Sequence, residues 1–202
     1  MESIKKLEQA LIKQDYIVKL FDTKEAAVSF LNKELDNKVI GIGGSQTVEQ
    51  MGLYEALVEH NTVYWHDRMP DNMSVMEVRQ AAFRAPVYIS SVNGISEQGD
   101  IVNIDATGNR VAAISFGPKD IYLLVGKNKI TVDYESAMIR ARNIAAPLNA
   151  RRLNRKTPCA VKADKCYDCI SPDRICRNFV VFRNRPTGAN YHVMLINEDL
   201  GF

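Results

Sequence analysis

Short apolar runs alternate with segments of helical period along most of this chain, and that order restricts it to a few architectures. Ile4, Leu7, Leu11 and Ile12 recur at helical spacing within residues 2–14, and Tyr16 to Phe21 (YIVKLF) reads as a strand. Thr23 is placed to cap a helix from Lys24 to Leu35, because its hydroxyl can accept an amide that has no partner in the first turn. Val39 to Ile42 is a short buried strand running into Gly43-Gly44-Ser45, after which Thr47 to Glu59 returns to helical spacing. Strand, helix, strand, glycine turn and helix make a βαβα unit. The alternation continues with strands at Thr62–Trp65, Val87–Ser91 and Asp120–Gly126, a strand-like Ile101–Ile104, and helices at Ser74–Arg84, Arg110–Ser115 and Tyr134–Ile144. Beyond Pro147 the pattern loosens, and Phe179–Arg183 with Tyr191–Ile196 read as a hairpin about Arg185-Pro-Thr-Gly188. The expected fold is one three-layer α/β domain spanning 1–202, with a mostly parallel open sheet, a metal-pinned C-terminal segment over 157–178 and that closing hairpin.

The pinning is expected from cysteine placement. Cys159, Cys166, Cys169 and Cys176 lie within eighteen residues, and the rest of the chain has none. A thiolate is a soft anionic ligand, and four of them suit tetrahedral zinc or an iron–sulfur cluster. Zinc sites usually present two close pairs, whereas only Cys166-Tyr-Asp-Cys169 is such a pair here, flanked by two single ligands, a spacing that leans toward a [4Fe–4S] cubane. Disulfides rank below both metals. The opening MESIKKLEQALIKQDY lacks the long apolar core of a secretory signal, so a cytoplasmic location with reduced thiols is expected.

Charge is unevenly distributed around these thiols. From Arg140 to Arg185 twelve basic residues face three acidic ones, a net of +9, so the remainder of a chain whose total is +2 carries −7. Such a tract can offset an anionic cluster, hold a phosphate-bearing ligand, dock an acidic electron-transfer partner, or simply face solvent. Nucleic acid is disfavoured, because Tyr167, Phe179 and Phe182 are the tract's only rings and no binding motif is present. No apolar run approaches the roughly 18 residues of a membrane span.

Two loops are candidates for chemistry. Gly41-Ile-Gly-Gly-Ser-Gln-Thr47 lies where a strand ends and a helix begins. Gly43 and Gly44 would let the backbone approach an anion, and Ser45 and Thr47 would add hydroxyls at a helix N-terminus; otherwise this is a tight turn with Ser45 as N-cap. It matches neither the Walker spacing nor the full dinucleotide fingerprint. The run from Asn93 to Arg110 is dense in polar residues and glycine between strands. Glu97 is its candidate base or nucleophile, and Asp105, Asn109 and Arg110 are candidate ligand-positioning residues, against the plainer reading that they cap turns. His60, His66 and His192 occur singly, which favours packing or surface roles, although His66-Asp67-Arg68 could face the same crevice.

Taken in order, Gly43-Gly-Ser-Gln-Thr47 with Gly52-Leu53, Glu97-x-Gly99-x-Ile101-Val102, Asp105-x-x-Gly-Asn-Arg110, Phe116-Gly-Pro118, Gly126-x-Asn128-Lys129, Arg140-x-Arg142, Ala146-Pro147-x-Asn149, Thr157-Pro-Cys159 and Glu198-Asp-Leu-Gly-Phe202 resemble the LUD (lactate-utilisation) domain family, within a subgroup bearing a C-terminal four-cysteine cluster. The resemblance implies a fold related to ribose-5-phosphate isomerase and the CoA transferases, a ligand site extending to Asn128 and Lys129, and a link to L-lactate oxidation beside iron–sulfur subunits. Three functions are then in view. The first is a redox accessory protein that binds a small anionic ligand and carries a metal centre on its four cysteines. The second is a CoA- or sugar-phosphate-dependent transferase or isomerase, with Glu97 as working carboxylate and a structural zinc. The third is a non-catalytic redox or metabolite sensor.

Overall fold

The computed structural model describes residues 2–202, and the alternation of the sequence becomes two sheets. The strands are β1 (Ile17–Phe21), β2 (Val39–Ile42), β3 (Thr62–Trp65), β4 (Val87–Ser91), β5 (Gly94–Ser96), β6 (Ile101–Asp105), β7 (Asp120–Gly126), β8 (Ile130–Thr131), β9 (Asn178–Phe182) and β10 (Asn190–Ile196). The helices are α1 (Glu2–Lys13), α2 (Lys24–Glu34), α3 (Gln46–Met51), α4 (Leu53–Val58), α5 (Val75–Arg84), α6 (Asn109–Ser115), α7 (Tyr134–Arg140), α8 (Ala146–Arg152) and α9 (Pro158–Lys162). Six strands form a parallel sheet in the order β1-β10-β7-β4-β2-β3.

Alternation along the central strands divides its two faces. Ile121, Leu123 and Val125 of β7, with Val193 and Leu195 of β10, pack under α1, α5 and α6. Tyr122, Leu124, Met194 and Ile196 point the other way, onto α2, α3 and α4. Helix, sheet and helix are the three layers. Each fully buried Leu, Ile or Val contributes roughly 1.5–3 kcal/mol, so these strands supply much of the molecule's cohesion. Among the described residues no helix is long and apolar enough to cross a membrane.

A four-stranded sheet, β8-β5-β6-β9, leans on this core. Ile95, Ile101 and Phe182 join the cluster beneath α1, while Val102, Ile104 and Val181 pack on α7. This corrects the expected hairpin. Strand β9 pairs antiparallel with β6, whereas β10 lies parallel between β1 and β7 in the large sheet. The reason is burial on both faces: Tyr191 and Val193 to Ile196 are all buried, which suits an interior strand of a parallel sheet, while β9 begins exposed. Gly94 to Ser96, expected to be loop, is strand β5.

Two helices also depart from expectation. The segment Thr47–Glu59 breaks at Gly52, whose φ of 63° and ψ of 26° end α3 and admit α4. The helix expected to stop at Ile144 instead widens into a π turn at Ala141–Ala145 and continues as α8 to Arg152. Pro147 explains the wide turn, because it lacks the N–H an unbroken α-helix would donate and its ring crowds the preceding turn.

Close helix–sheet contact depends on Gly41. A Cβ there would collide with the carbonyl oxygen of Ala82 on α5 and lie 2.7 Å from its Cα. Gly41→Ala is therefore expected to destabilise the protein by about 1–3 kcal/mol in urea unfolding. Gly188→Ala, with nothing within 4 Å of its Cβ, should stay within about 0.5 kcal/mol of the parent. Equal midpoints for the two variants would contradict this packing.

Candidate functional site

The carboxyl ends of β2, β3, β4 and β6 open on one cavity of about 240 Å³, closed by α8 and by the stretch ending at Phe202. This is where an open parallel sheet presents its ligand-binding loops. The volume is below that of drug-sized pockets and suits a small metabolite.

From β2 the chain turns through Gly44 and Ser45 into the wall. Ser45 also caps α3, accepting from the Val48 amide at 3.3 Å, so the capping and lining roles coincide. Because α3 has only six residues, it offers little helix dipole to a ligand. Gly43 stands behind the wall, where a Cβ would meet the Tyr88 hydroxyl at 2.8 Å and the Arg110 stem at 3.1 Å.

Arg110 is the centre of a polar knot. Its guanidinium donates to the carbonyls of Ser91 (3.1 Å) and Ile104 (2.7 Å) and to the amide oxygens of Asn93 (3.1 Å) and Asn103 (2.5 Å), and it pairs with Asp105 at 3.6 Å. Asp105 meanwhile accepts from the Gly108 amide at 2.8 Å. Arg110 and Asp105 line the cavity with Asn109, but their charges are committed to each other and to the strand ends.

The uncommitted charge comes from elsewhere. Arg79 of α5, Arg152 of α8 and Arg155 line the same cavity. Among the described residues the buried Arg79 Nε has no hydrogen-bond partner, and neither Arg79 nor Arg155 forms an ion pair. Counting Arg110, four arginines face two carboxylates, Asp67 and Asp105. His66 joins them, its Nε2 at 3.8 Å from Asp67.

Burial holds the His66 imidazole below its usual 6.5, reinforced by Arg79 and Arg152 and opposed by Asp67. A histidine with a lowered folded pKa takes up its proton more readily when unfolded. Its contribution to stability is therefore complete above pH 6.5 and is lost as pH falls from there through the lower folded value. The urea midpoint should decline below pH 6.5 and decline less in His66→Asn. Identical pH profiles would sink the assignment.

Lys129 is a buried basic side chain at the cavity, 3% exposed, and follows β7 on the turn Lys127–Lys129. Its Nζ donates to Thr47 Oγ1 at 2.7 Å and Ser91 Oγ at 2.8 Å. Burial drives its pKa well below the usual lysine value, and Arg140 and Arg110 add to the effect. Thr47 thus serves through Lys129 and does not line the cavity itself. Asn128 holds the last residues in place, accepting from the Leu200 amide at 3.1 Å and donating to the Gly201 carbonyl at 3.2 Å. Arg140 completes that clasp by donating to the carbonyls of Asn128 (2.8 Å) and Phe202 (3.2 Å).

Glu97 is elsewhere. It sits on the turn between β5 and β6, hydrogen-bonded to Ser3 and 3.8 Å from Lys6, both on α1, and it does not line the cavity. His60 bonds Asn32 at 2.7 Å, and His192 stacks on Tyr122 with centroids 4.3 Å apart, both as packing groups. Sequence reasoning missed Ser91 and Arg79. Ser91 carried a weak signal, a polar residue ending an apolar strand, whereas Arg79 reads as an ordinary helix-surface residue until α5 is docked.

The four cysteines surround a second, smaller cavity of about 20 Å³ on the other side of α8, and Ile175 lines both cavities. All four are free and half-buried. Cys166 Sγ accepts from the Asp168 amide at 3.3 Å, with Arg142 at 4.0 Å. Arg174 donates to the Cys169 carbonyl at 2.7 Å, and hydrogen bonding to Cys176 raises its pKa. Among the described residues no three His, Cys, Asp or Glu side chains are positioned to hold a metal ion. The donor set has the chemistry of a four-thiolate site: all four cysteines line one space, with an amide and two guanidiniums beside them to stabilise thiolate charge, while the sulfurs as placed do not converge on a single ion.

A six-stranded parallel sheet with helices on both faces and a cavity lined by basic side chains at its carboxyl edge defines an open-sheet, three-layer α/β protein. The sequence profile of the LUD domain matches residues 4–196, and the chain belongs to the LUD-domain family. A crystal structure of a DUF162 family protein from Deinococcus radiodurans shares the fold, with a TM-score of 0.56, 13% identity and 96% of each chain covered. No curated protein matches the chain.

Proposed function

We propose that the protein binds a small anionic metabolite in the cavity between Ser45, His66 and α8, and that Cys159, Cys166, Cys169 and Cys176 hold a [4Fe–4S] cluster against the opposite side of that helix. The observation that carries the reading is the charge imbalance of the cavity: among the described residues Arg79 and Arg155 face it without an anionic partner. A carboxylate or phosphate satisfies them, and the family's association with lactate utilisation favours a small carboxylate. Such a cluster supplies one-electron exchange when bound. The protein's own residues orient the ligand, keep its anionic end on the arginines and exclude water with α8 and Phe202. The basic tract, which includes Arg142, Arg174 and Arg177, offers an acidic electron-transfer protein a docking surface in the cytoplasm.

Calorimetric titration with phosphate, sulfate and small carboxylates tests the ligand. Arg79→Gln and Arg155→Gln should each weaken binding by about tenfold, or about 1.4 kcal/mol. Parent-like affinity in both variants would remove the cavity from consideration. Iron and labile sulfide analysis of protein purified without oxygen tests the cluster, and zinc without iron would favour a structural clip. With Glu97 against α1, a transferase using that carboxylate lacks geometric support.

A further inference from the structure

We infer that Lys129 is a reacting amine, and that the ligand class of the cavity is a small carbonyl compound bearing an anionic group, such as a 2-oxo acid, captured as a Schiff base. This rests on the reading of the cavity as an anion site and gives that site a chemistry.

The hydrogen-bond directions around Lys129 carry the argument. The Ser91 hydroxyl donates to the Leu124 carbonyl at 2.6 Å, so its oxygen is left to accept. The Thr47 hydroxyl has the Leu200 carbonyl at 3.3 Å and the Ser91 oxygen at 3.2 Å as acceptors, so it too turns its proton away from the lysine. Both oxygens then accept from Lys129, at 2.7 and 2.8 Å. A neutral primary amine has two N–H bonds, and these two acceptors consume both. What remains is the lone pair, on a nitrogen whose residue lines the cavity.

The surroundings favour the neutral form. Among the described residues Lys129 forms no ion pair, and its charged neighbours are Arg110 and Arg140. A lysine buried among cations loses its proton readily, which is the condition for amine attack at neutral pH. Arg79, Arg152 and Arg155 line the same space as anchors for the anionic end, leaving the carbonyl carbon to the amine.

The step balances without a further reactant. The Lys129 lone pair forms the C–N bond as the carbonyl π pair moves to oxygen. The two amine protons pass to that oxygen, which leaves as water, and the product is a neutral imine.

The full-length protein is incubated with glyoxylate or pyruvate, the two smallest 2-oxo acids, with and without borohydride, and digested for peptide mass spectrometry. The expected result is a reduced adduct on Lys129 at roughly tenfold or more the labelling of exposed Lys162 and Lys165. Lys129→Met should lose that adduct and melt at or above the parent temperature, since a buried amine has been removed. No adduct at Lys129, or labelling no greater than at Lys162 and Lys165, overturns the inference. Because the adduct is mapped in the parent protein, this outcome does not depend on how the variant folds. Calorimetry with the same acids separates the two failures: binding without a Lys129 adduct overturns only the Schiff base, whereas no binding of these acids, phosphate or sulfate overturns the anion site as well.

Discussion

Arg110→Leu is expected to lower stability by about 3–5 kcal/mol, because it removes one partner from a buried network and leaves the rest without replacement. The side chains of Arg110 and Asp105 are 11% and 8% exposed, so water cannot take over the lost contacts. Asp105 would keep its bond from the Gly108 amide but lose its cation, and the carbonyls of Ser91 and Ile104 would lose their guanidinium donor. The damage should be local as well as global, because this arginine ties the end of β4 to the end of β6 and so shapes the cavity floor. In a chain of this size, the loss corresponds to a melting temperature lower by roughly 6–20 °C. Arg110→Lys should recover only part of it, since an ammonium cannot reproduce a fork that reaches two carbonyls and two amides at once. Thermal and urea unfolding of the three proteins decide the matter; a leucine variant within about 1 kcal/mol of the parent would mean that the knot is not a stabilising unit.

The second large effect is expected at the cysteines. Within 163–177 only Ile175 is a buried apolar side chain, and Ile170 is 95% exposed, so burial alone contributes little to holding this stretch. Metal ligation can supply the missing folding free energy. Cys169→Ser, or chelation of the parent, should take iron from about four per chain to background. It should also open trypsin sites at Lys162, Lys165 and Arg174 while the sheet of β1, β2, β4, β7 and β10 resists. Ligand affinity should fall too, since Ile175 and α8 wall both cavities. Unchanged metal content and an unchanged digestion pattern in Cys169→Ser would defeat the proposal, whichever metal the parent contains.

Legibility in the sequence follows the range of the interactions. Strand β7 and the cap at Thr23 depend on neighbours in the chain, and both are legible there, the cap down to its bond with the Ala26 amide. Gly52 stands out only as part of a motif, because its left-handed φ is a property of the turn that helical spacing does not reveal. The path of the last strands is misleading because Arg185-Pro-Thr-Gly188 is a good turn sequence, and a turn does not specify which strand its neighbours pair with. Gly44, Ser45, Asp105, Asn109, Arg110 and Lys129 do converge on one cavity, while Glu97, equally suitable by residue type, faces α1.

By itself the sequence determined the βα alternation, the clustering of the thiols and the basic tract around them, because period, spacing and charge are properties of adjacent residues. Only the tertiary structure decided that β10 lies inside the parallel sheet between β1 and β7, that one helix separates the cysteines from the cationic cavity, and that Lys129 is buried with two hydroxyls and, among the described residues, no counter-ion. Those facts depend on desolvation and on contacts between residues as far apart as Thr47 and Leu200, which no local pattern encodes.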